Sequence, residues 1–291
     1  MKAIGRLVPP RWSVRWLARM IVTLLAVALL VTGLAAAISG WYLTDLKAYL
    51  EAARLLGSGG NPFEVELLER GLPYHYHYSP WFAALFIPLT WLPVELVRIG
   101  WSAALVTASV AALLPLARAY GAAATPVLAL MGFLLLNLVA EGNVQPLLLA
   151  GLVWTLERRA GPLMIGIAAS LKIAPILLAL VYVGRREWGR ALLAGLVAAV
   201  LAAPTFLFEL PATAVDTGGT GLFTTAPVVW ALLVIVAAGA TLVLARGRLG
   251  WLAGSTVTVL ALPRLLIFDV TNLLLAVPDR HPSRIEVDQR D

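Results

Sequence analysis

The side chains that could do chemistry are sparse, and the first cluster lies between Trp41 and Pro80. Asp45 opens an amphipathic stretch in which Leu46, Tyr49, Leu50 and Ala53 recur at helical spacing on one face, while Lys47, Glu51 and Arg54 line another. The spacing predicts a helix capped by Thr44 and lying along a bilayer surface rather than crossing it. A carboxylate in the first turn suits the helix dipole, which alone accounts for Asp45. The chemical alternative is a general base at the membrane's outer surface, fixed on a rigid element within reach of a hydroxyl. The loop then runs through Gly57 to Pro62 into Tyr74-His75-Tyr76-His77-Tyr78. Its tyrosines suit headgroup anchoring. His75 and His77 alternate onto one edge of an extended segment with no third ligand near them in sequence, which argues against a metal site. They read instead as donors to a phosphate or a sugar hydroxyl.

Two cations stand out because they interrupt apolar sequence. Lys172 sits mid-span in Ser170-Leu171-Lys172-Ile173-Ala174-Pro175, and an ionisable group there either snorkels to an interface or serves a function. Arg264 stands near the outer end of its span with Asp269 five residues on, as a membrane-edge ion pair or as a clamp for phosphate oxygens. Asn143 belongs to Glu141-Gly142-Asn143-Val144-Gln145-Pro146, a polar break between two apolar runs. Such a break lines a cavity or satisfies its own freed backbone groups.

The elements that must hold these groups follow from composition. Of the 291 residues, 60% are hydrophobic and 13% charged, more apolar surface than a soluble domain of this length can hide. The chain is therefore read as an all-α, polytopic integral membrane protein forming one domain over residues 1–291, with an outer loop over 43–80 and a polar tail over 278–291. The absence of cysteine excludes disulfides and thiolate metal sites. A net charge of +6, carried by arginines beside apolar spans, points to orientation and lipid headgroups rather than to nucleic acid. Lys2, Arg6, Arg11, Arg15 and Arg19 predict an uncleaved first span, about Met20 to Tyr42, with its N-terminus in the cytoplasm. Trp81 to Leu92 is expected to return inward, and Glu209 to Pro227 to form a second outer loop. Between Arg158-Arg159 and Arg185-Arg186, both flanks of one apolar piece are basic, so the break at Lys172–Pro175 predicts a re-entrant pair of half-helices. Val270 to Val277 is too short to cross alone, and joined to Leu265–Phe268 it would carry Asp269 through.

In these residues the chain resembles glycosyltransferase family 87, the α-(1→2)-mannosyltransferase-like branch of the polyprenyl-phosphate-sugar-dependent enzymes of the GT-C fold. The first-loop pattern is matched by Asp45, Tyr49, Ala52-Ala53, Gly57 to Gly60 and Asn61-Pro62-Phe63, then by Tyr76-His77-Tyr78-Ser79-Pro80, Pro88 and Leu92-Pro93. The later pattern is matched by Gly142-Asn143-Val144-Gln145-Pro146, Arg158-Arg159, Ala160-Gly161, Lys172, Pro175 and Arg185-Arg186. The family typically runs on through further spans, whereas this chain stops soon after Arg264. That difference implies either a compact member or one lacking part of its cavity wall.

The resemblance implies a GT-C-like helical bundle in a bacterial plasma membrane, moving a mannose-like hexose from a polyprenyl-phosphate donor to an acceptor hydroxyl of a glycolipid or glycan, with inversion. It makes Asp45 the catalytic base and puts the donor phosphate and substrate at Lys172, Arg264, His75, His77, Tyr49 and Asn143. Neither a metal nor another cofactor is expected. The alternative is a non-catalytic or degenerate protein that binds or moves polyprenyl-phosphate lipids.

Overall fold

The computed structural model describes residues 12–39, 43–69, 72–210 and 222–278, with the side chains of 12–15, 68–69 and 72–74 left undescribed. The basic residues up to Arg11, most of the second outer loop, Trp41, Tyr42, the Tyr74 side chain and the tail from 279 fall outside that description. Twelve α-helices are described: α1 (Trp12–Ile38), α2 (Thr44–Gly57), α3 (Pro80–Phe86), α4 (Val94–Tyr120), α5 (Thr125–Glu141), α6 (Gln145–Thr155), α7 (Gly161–Leu171), α8 (Ala179–Gly184), α9 (Trp188–Ala202), α10 (Leu222–Thr225), α11 (Pro227–Leu244) and α12 (Gly250–Leu260). Short 3₁₀ turns join several of them, and a longer one, Ile267–Ala276, ends the described chain. The one sheet among the described residues is a small antiparallel hairpin, β1 (Leu67–Glu69) on β2 (Leu72–Tyr74), with Leu67 opposite Tyr74.

Four helical stretches are long and apolar enough to cross a membrane: Trp16–Ile38, Val94–Glu141 (which holds both α4 and α5), Trp188–Leu207 and Pro227–Leu244. Their outward faces carry large apolar side chains, among them Leu30, Leu34, Leu196, Val200, Ile235 and Val236, which water would not tolerate in such number. The chain is an all-α polytopic membrane protein.

Helix α2 does not lie loose on a surface. Its apolar face, including Leu46, Tyr49, Leu50 and Ala53, is buried against α3 and the 3₁₀ turn Ile87–Trp91, and the opposite face keeps the exposed pair Arg54–Glu51 at 2.9 Å. Thr44 is not its cap. Leu43 occupies that position in the left-handed region (φ 64°), and Thr44 is buried inside the first turn. The Leu43 amide donates to the Ala140 carbonyl at the end of α5 (2.8 Å), so a tertiary bond anchors the start of α2, which has no side-chain cap.

The expectation that Trp81 to Leu92 returns inward is overturned. α3 and the turn after it pack on α2, and Trp101, two turns into α4, donates its indole N–H to the Gly142 carbonyl (2.8 Å). α4 therefore starts at the α2 end of the bundle and runs away from it. An apolar run of this length is satisfied by a protein core as readily as by lipid.

The re-entrant reading of residues 161–184 agrees with the geometry. α7 ends at Leu171, Lys172 follows in extended conformation, a 3₁₀ turn covers Ala174–Leu178, and α8 comes back so that both ends of the piece meet. Tyr182 donates its hydroxyl to the Leu156 carbonyl (2.6 Å), and Arg185 forms a two-pronged ion pair with Glu157 at 2.9 and 3.1 Å. Both basic flanks lie at one end, with Lys172 at the tip of the hairpin. α9 then runs back along α7 to the α2 end, where Ser79 donates to Leu201 O (2.8 Å) and Asn61 to Glu209 O (2.8 Å).

Candidate active site

Asp45 and Tyr49 stand four residues apart on the buried face of α2, so one turn of helix aims both at the same place. The other half of the site comes from the break between α5 and α6. Gly142 makes that break in the left-handed region (φ 75°), and a Cβ there would stand 3.1 Å from Leu43 Cα. Only glycine lets the two backbones meet this closely. Asn143 follows, and its side-chain oxygen accepts from the Gln145 amide (2.9 Å), an Asx turn that starts α6 ahead of Pro146. With the oxygen so committed, the amide NH₂ faces the site and donates to the Asp45 carboxylate in a short bond, with the Tyr78 hydroxyl 3.4 Å away. Tyr49 also bonds the Asp45 carboxylate, and its hydroxyl accepts from the Val144 amide (3.3 Å).

Asp45 is 2% exposed. Burial is the dominant influence on its carboxyl, pushing it up to about 7 from an ordinary value of 3.8. Opposing that, in decreasing order, are the Lys172 ammonium and the Asn143 bond, and after a small opposite push from Glu141, the Tyr49 bond. Near neutrality the group is thus divided between an acid and a carboxylate that can take a proton.

Lys172, at the tip of the α7–α8 hairpin, acts electrostatically on both Asp45 and Asp269. Asp269 reaches this place on the Ile267–Ala276 segment. Three residues per turn stack Asp269, Asn272 and Leu275 along one line, and all three are buried. Asp269 accepts from the Leu266 amide (2.9 Å), Asn272 donates to the Asp269 carbonyl (2.9 Å), and Gln145 donates to the Asn272 side chain (2.8 Å). The polar break before α6 is thereby tied to the last described element of the chain.

Of the residues singled out in the sequence, Asp45, Tyr49, Asn143 and Lys172 converge. Arg264 is exposed on the turn after α12, where it acts on Asp269 more weakly than Lys172 does. The membrane-edge pairing of Arg264 with Asp269 is therefore secondary to the one with Lys172. His75 and His77 alternate outward: His75 Nδ1 lies 3.2 Å from Val65 O, and the two imidazoles stand 6.1 Å apart. The same alternation sends Tyr76 and Tyr78 inward, with ring centroids 6.4 and 5.3 Å from Tyr49. Tyr78, Gln145, Asp269 and Asn272 are the members that sequence reasoning did not assign to a site. Gln145 stood in a quoted motif and Asp269 in an apolar run, but nothing local in the sequence marks Asn272. Among the described residues, no group of three or more His, Asp or Glu side chains gathers to hold a metal.

The sequence model of glycosyltransferase family 87 matches residues 76–216, which include Tyr78, Asn143, Gln145 and Lys172. Just under half of the chain is thus similar to glycosyltransferase family 87. No curated protein and no solved structure matches it significantly. That similarity, with the long apolar helices, points to a membrane glycosyltransferase acting on a sugar donor and an acceptor. The matched stretch begins after α2, so Asp45 enters the site through its contact with Asn143 inside that stretch.

Proposed function

We propose that this protein moves a mannose-like hexose from a polyprenyl-phosphate donor to the hydroxyl of a glycolipid or glycan acceptor, inverting the anomeric carbon, with Asp45 as general base. One observation carries the reading: a buried carboxylate on α2, titrating near neutrality, is held by an amide from the motif region of the family and faces a lysine across the site. A base is most effective when its pKa lies near the working pH.

In the proposed step, the acceptor hydroxyl oxygen attacks the anomeric carbon as its proton passes to the Asp45 carboxylate. The bond from that carbon to the donor phosphate oxygen breaks, and the polyprenyl phosphate leaves with the electron pair. Positive character on the sugar ring builds in the transition state, as in other glycosyl transfer. Lys172 meets the negative charge on the departing phosphate where water is scarce and such attraction is strong, while Arg264 meets it at the rim. Tyr49, Tyr78 and Asn143 orient the base. His75 and His77, lying outward of the tyrosines, are assigned to the approach of the phosphate or acceptor. The plasma membrane of a bacterium, with the Asp45 end outside, is the location that suits a lipid-borne donor.

The test is transfer of labelled sugar from polyprenyl-phosphate mannose by membranes carrying wild type or Asp45→Asn at equal expression. Incorporation by the wild type alone is the expected result. Equal incorporation by both would remove Asp45 as base, and incorporation from another lipid-phosphate sugar alone would replace mannose.

A further inference from the structure

A second candidate site lies at the opposite end of the bundle and is built by a proline. Pro115, inside α4, has no N–H to donate to the Ala111 carbonyl one turn back. The indole N–H of Trp154, in the last turn of α6, takes that orphaned carbonyl at 2.9 Å. The indole in turn carries two guanidinium groups, Arg118 at 5.3 Å and Arg158 at 5.8 Å from its ring. Beside this platform opens a cavity of about 470 Å³, lined by Arg118, Arg248 and Tyr120 on its polar side and by Pro115, Ala276 and Val277 among its apolar residues. That volume lies in the range of small-molecule sites.

Charge pairing separates these arginines from their neighbours at the same end. Arg185 is matched by Glu157 and Arg190 by Glu187, each at 2.8–2.9 Å. Arg118 and Arg248 have no carboxylate partner among the described residues, although both line the cavity. Two unneutralised guanidinium groups facing one concave space are matched to a phosphate, whose oxygens accept their forked donors. The apolar wall beside them favours a ligand that is also part hydrocarbon.

We infer that this cavity binds the phosphate of an anionic lipid headgroup, separately from the glycosyl-transfer site. The anionic leaflet that faces a basic membrane-protein end supplies such lipids. The experiment is thermal unfolding of purified protein in neutral detergent with added dioleoylphosphatidylglycerol, dioleoylphosphatidylcholine or inorganic phosphate. Phosphatidylglycerol should raise the wild-type midpoint by about 5 °C near saturation, phosphatidylcholine should not, and Arg118→Gln with Arg248→Gln should abolish the rise. Arg248→Gln alone, which breaks no described contact, should weaken the response and guards against a double variant that fails to fold. An undiminished rise in a folded double variant, or an equal rise with phosphatidylcholine, would overturn the inference. A full rise with inorganic phosphate would overturn the lipid assignment and leave a site for free phosphate.

Discussion

At the Asp45 end of the bundle, a carboxylate is buried among neutral amide and hydroxyl donors, with the lysine's charge facing it across the site. At the Glu157 end, carboxylates and guanidinium groups are only partly buried and are joined directly. Glu157 accepts two bonds from Arg185 and one from the Trp251 indole, while Arg190 donates to Glu187 and to two backbone carbonyls. The second arrangement pairs Arg185 and Arg190 with carboxylates close by and fixes the ends of α6, α8 and α9 together. The first leaves a titratable group desolvated, which costs stability and is worth having only where the group must exchange a proton. On the proposed function, one end holds and the other reacts.

The largest expected break in that comparison is Asp45→Asn. Transfer should fall by about 10³-fold, while the fold should gain. The sign follows from the carboxyl's position near 7: the folded chain keeps its proton through a range where the unfolded chain, near 3.8, has lost it. Wild-type stability should therefore decline as pH rises from about 4 to about 7 through this group, and the asparagine variant should not share that component. Denaturant unfolding at several pH values in detergent measures it. A variant less stable than wild type at pH 8 would mark Asp45 as structural.

The next effect sharpens the role of the surroundings. Lys172 is the strongest influence favouring the charged Asp45, and Asn143 the second. Lys172→Met should move the acid limb of the pH–rate profile upward, and Asn143→Ala should move it the same way by less. Reduced rates with an unmoved limb would mean that neither group acts through Asp45. A smaller effect belongs to the other end: Glu157→Gln should lower unfolding stability by about 2 kcal/mol while transfer per folded molecule stays constant.

The division between the ends also explains what the sequence disclosed. The face of α2 was legible because Leu46, Tyr49, Leu50 and Ala53 repeat at the period of a helix. The fold-back at Lys172–Pro175 was legible from a proline and from two basic flanks that one straight span could not serve. Trp81–Leu92 was misread because hydropathy records the need for burial and not whether lipid or protein meets it. Asn272 was invisible for a different reason. It meets Gln145 across 127 residues of sequence, and the Ile267–Ala276 segment follows the three-residue period of a 3₁₀ turn rather than that of an α-helix. The Thr44 cap failed because the Leu43 amide is anchored to Ala140, a tertiary bond that local capping rules do not anticipate.

The smallest expected effect tests the two faces of α2 against each other. Glu51 and Arg54 pair at 2.9 Å with roughly half of the arginine side chain and over a third of the glutamate exposed. Such a pair trades hydration for attraction at little net gain, so Glu51→Gln should change unfolding stability by less than about 0.5 kcal/mol. It should leave both the rate of transfer and the position of the acid limb unchanged, because Glu51 is not among the groups acting on Asp45. Asp45 and Tyr49 lie on the same fourteen-residue helix, so disturbing its fold would disturb the proposed base as well. A silent Glu51→Gln beside an inactive Asp45→Asn would therefore assign the chemistry to the buried face of α2. A large loss in Glu51→Gln would instead place substrate on the face turned outward, and the base would have to be sought there.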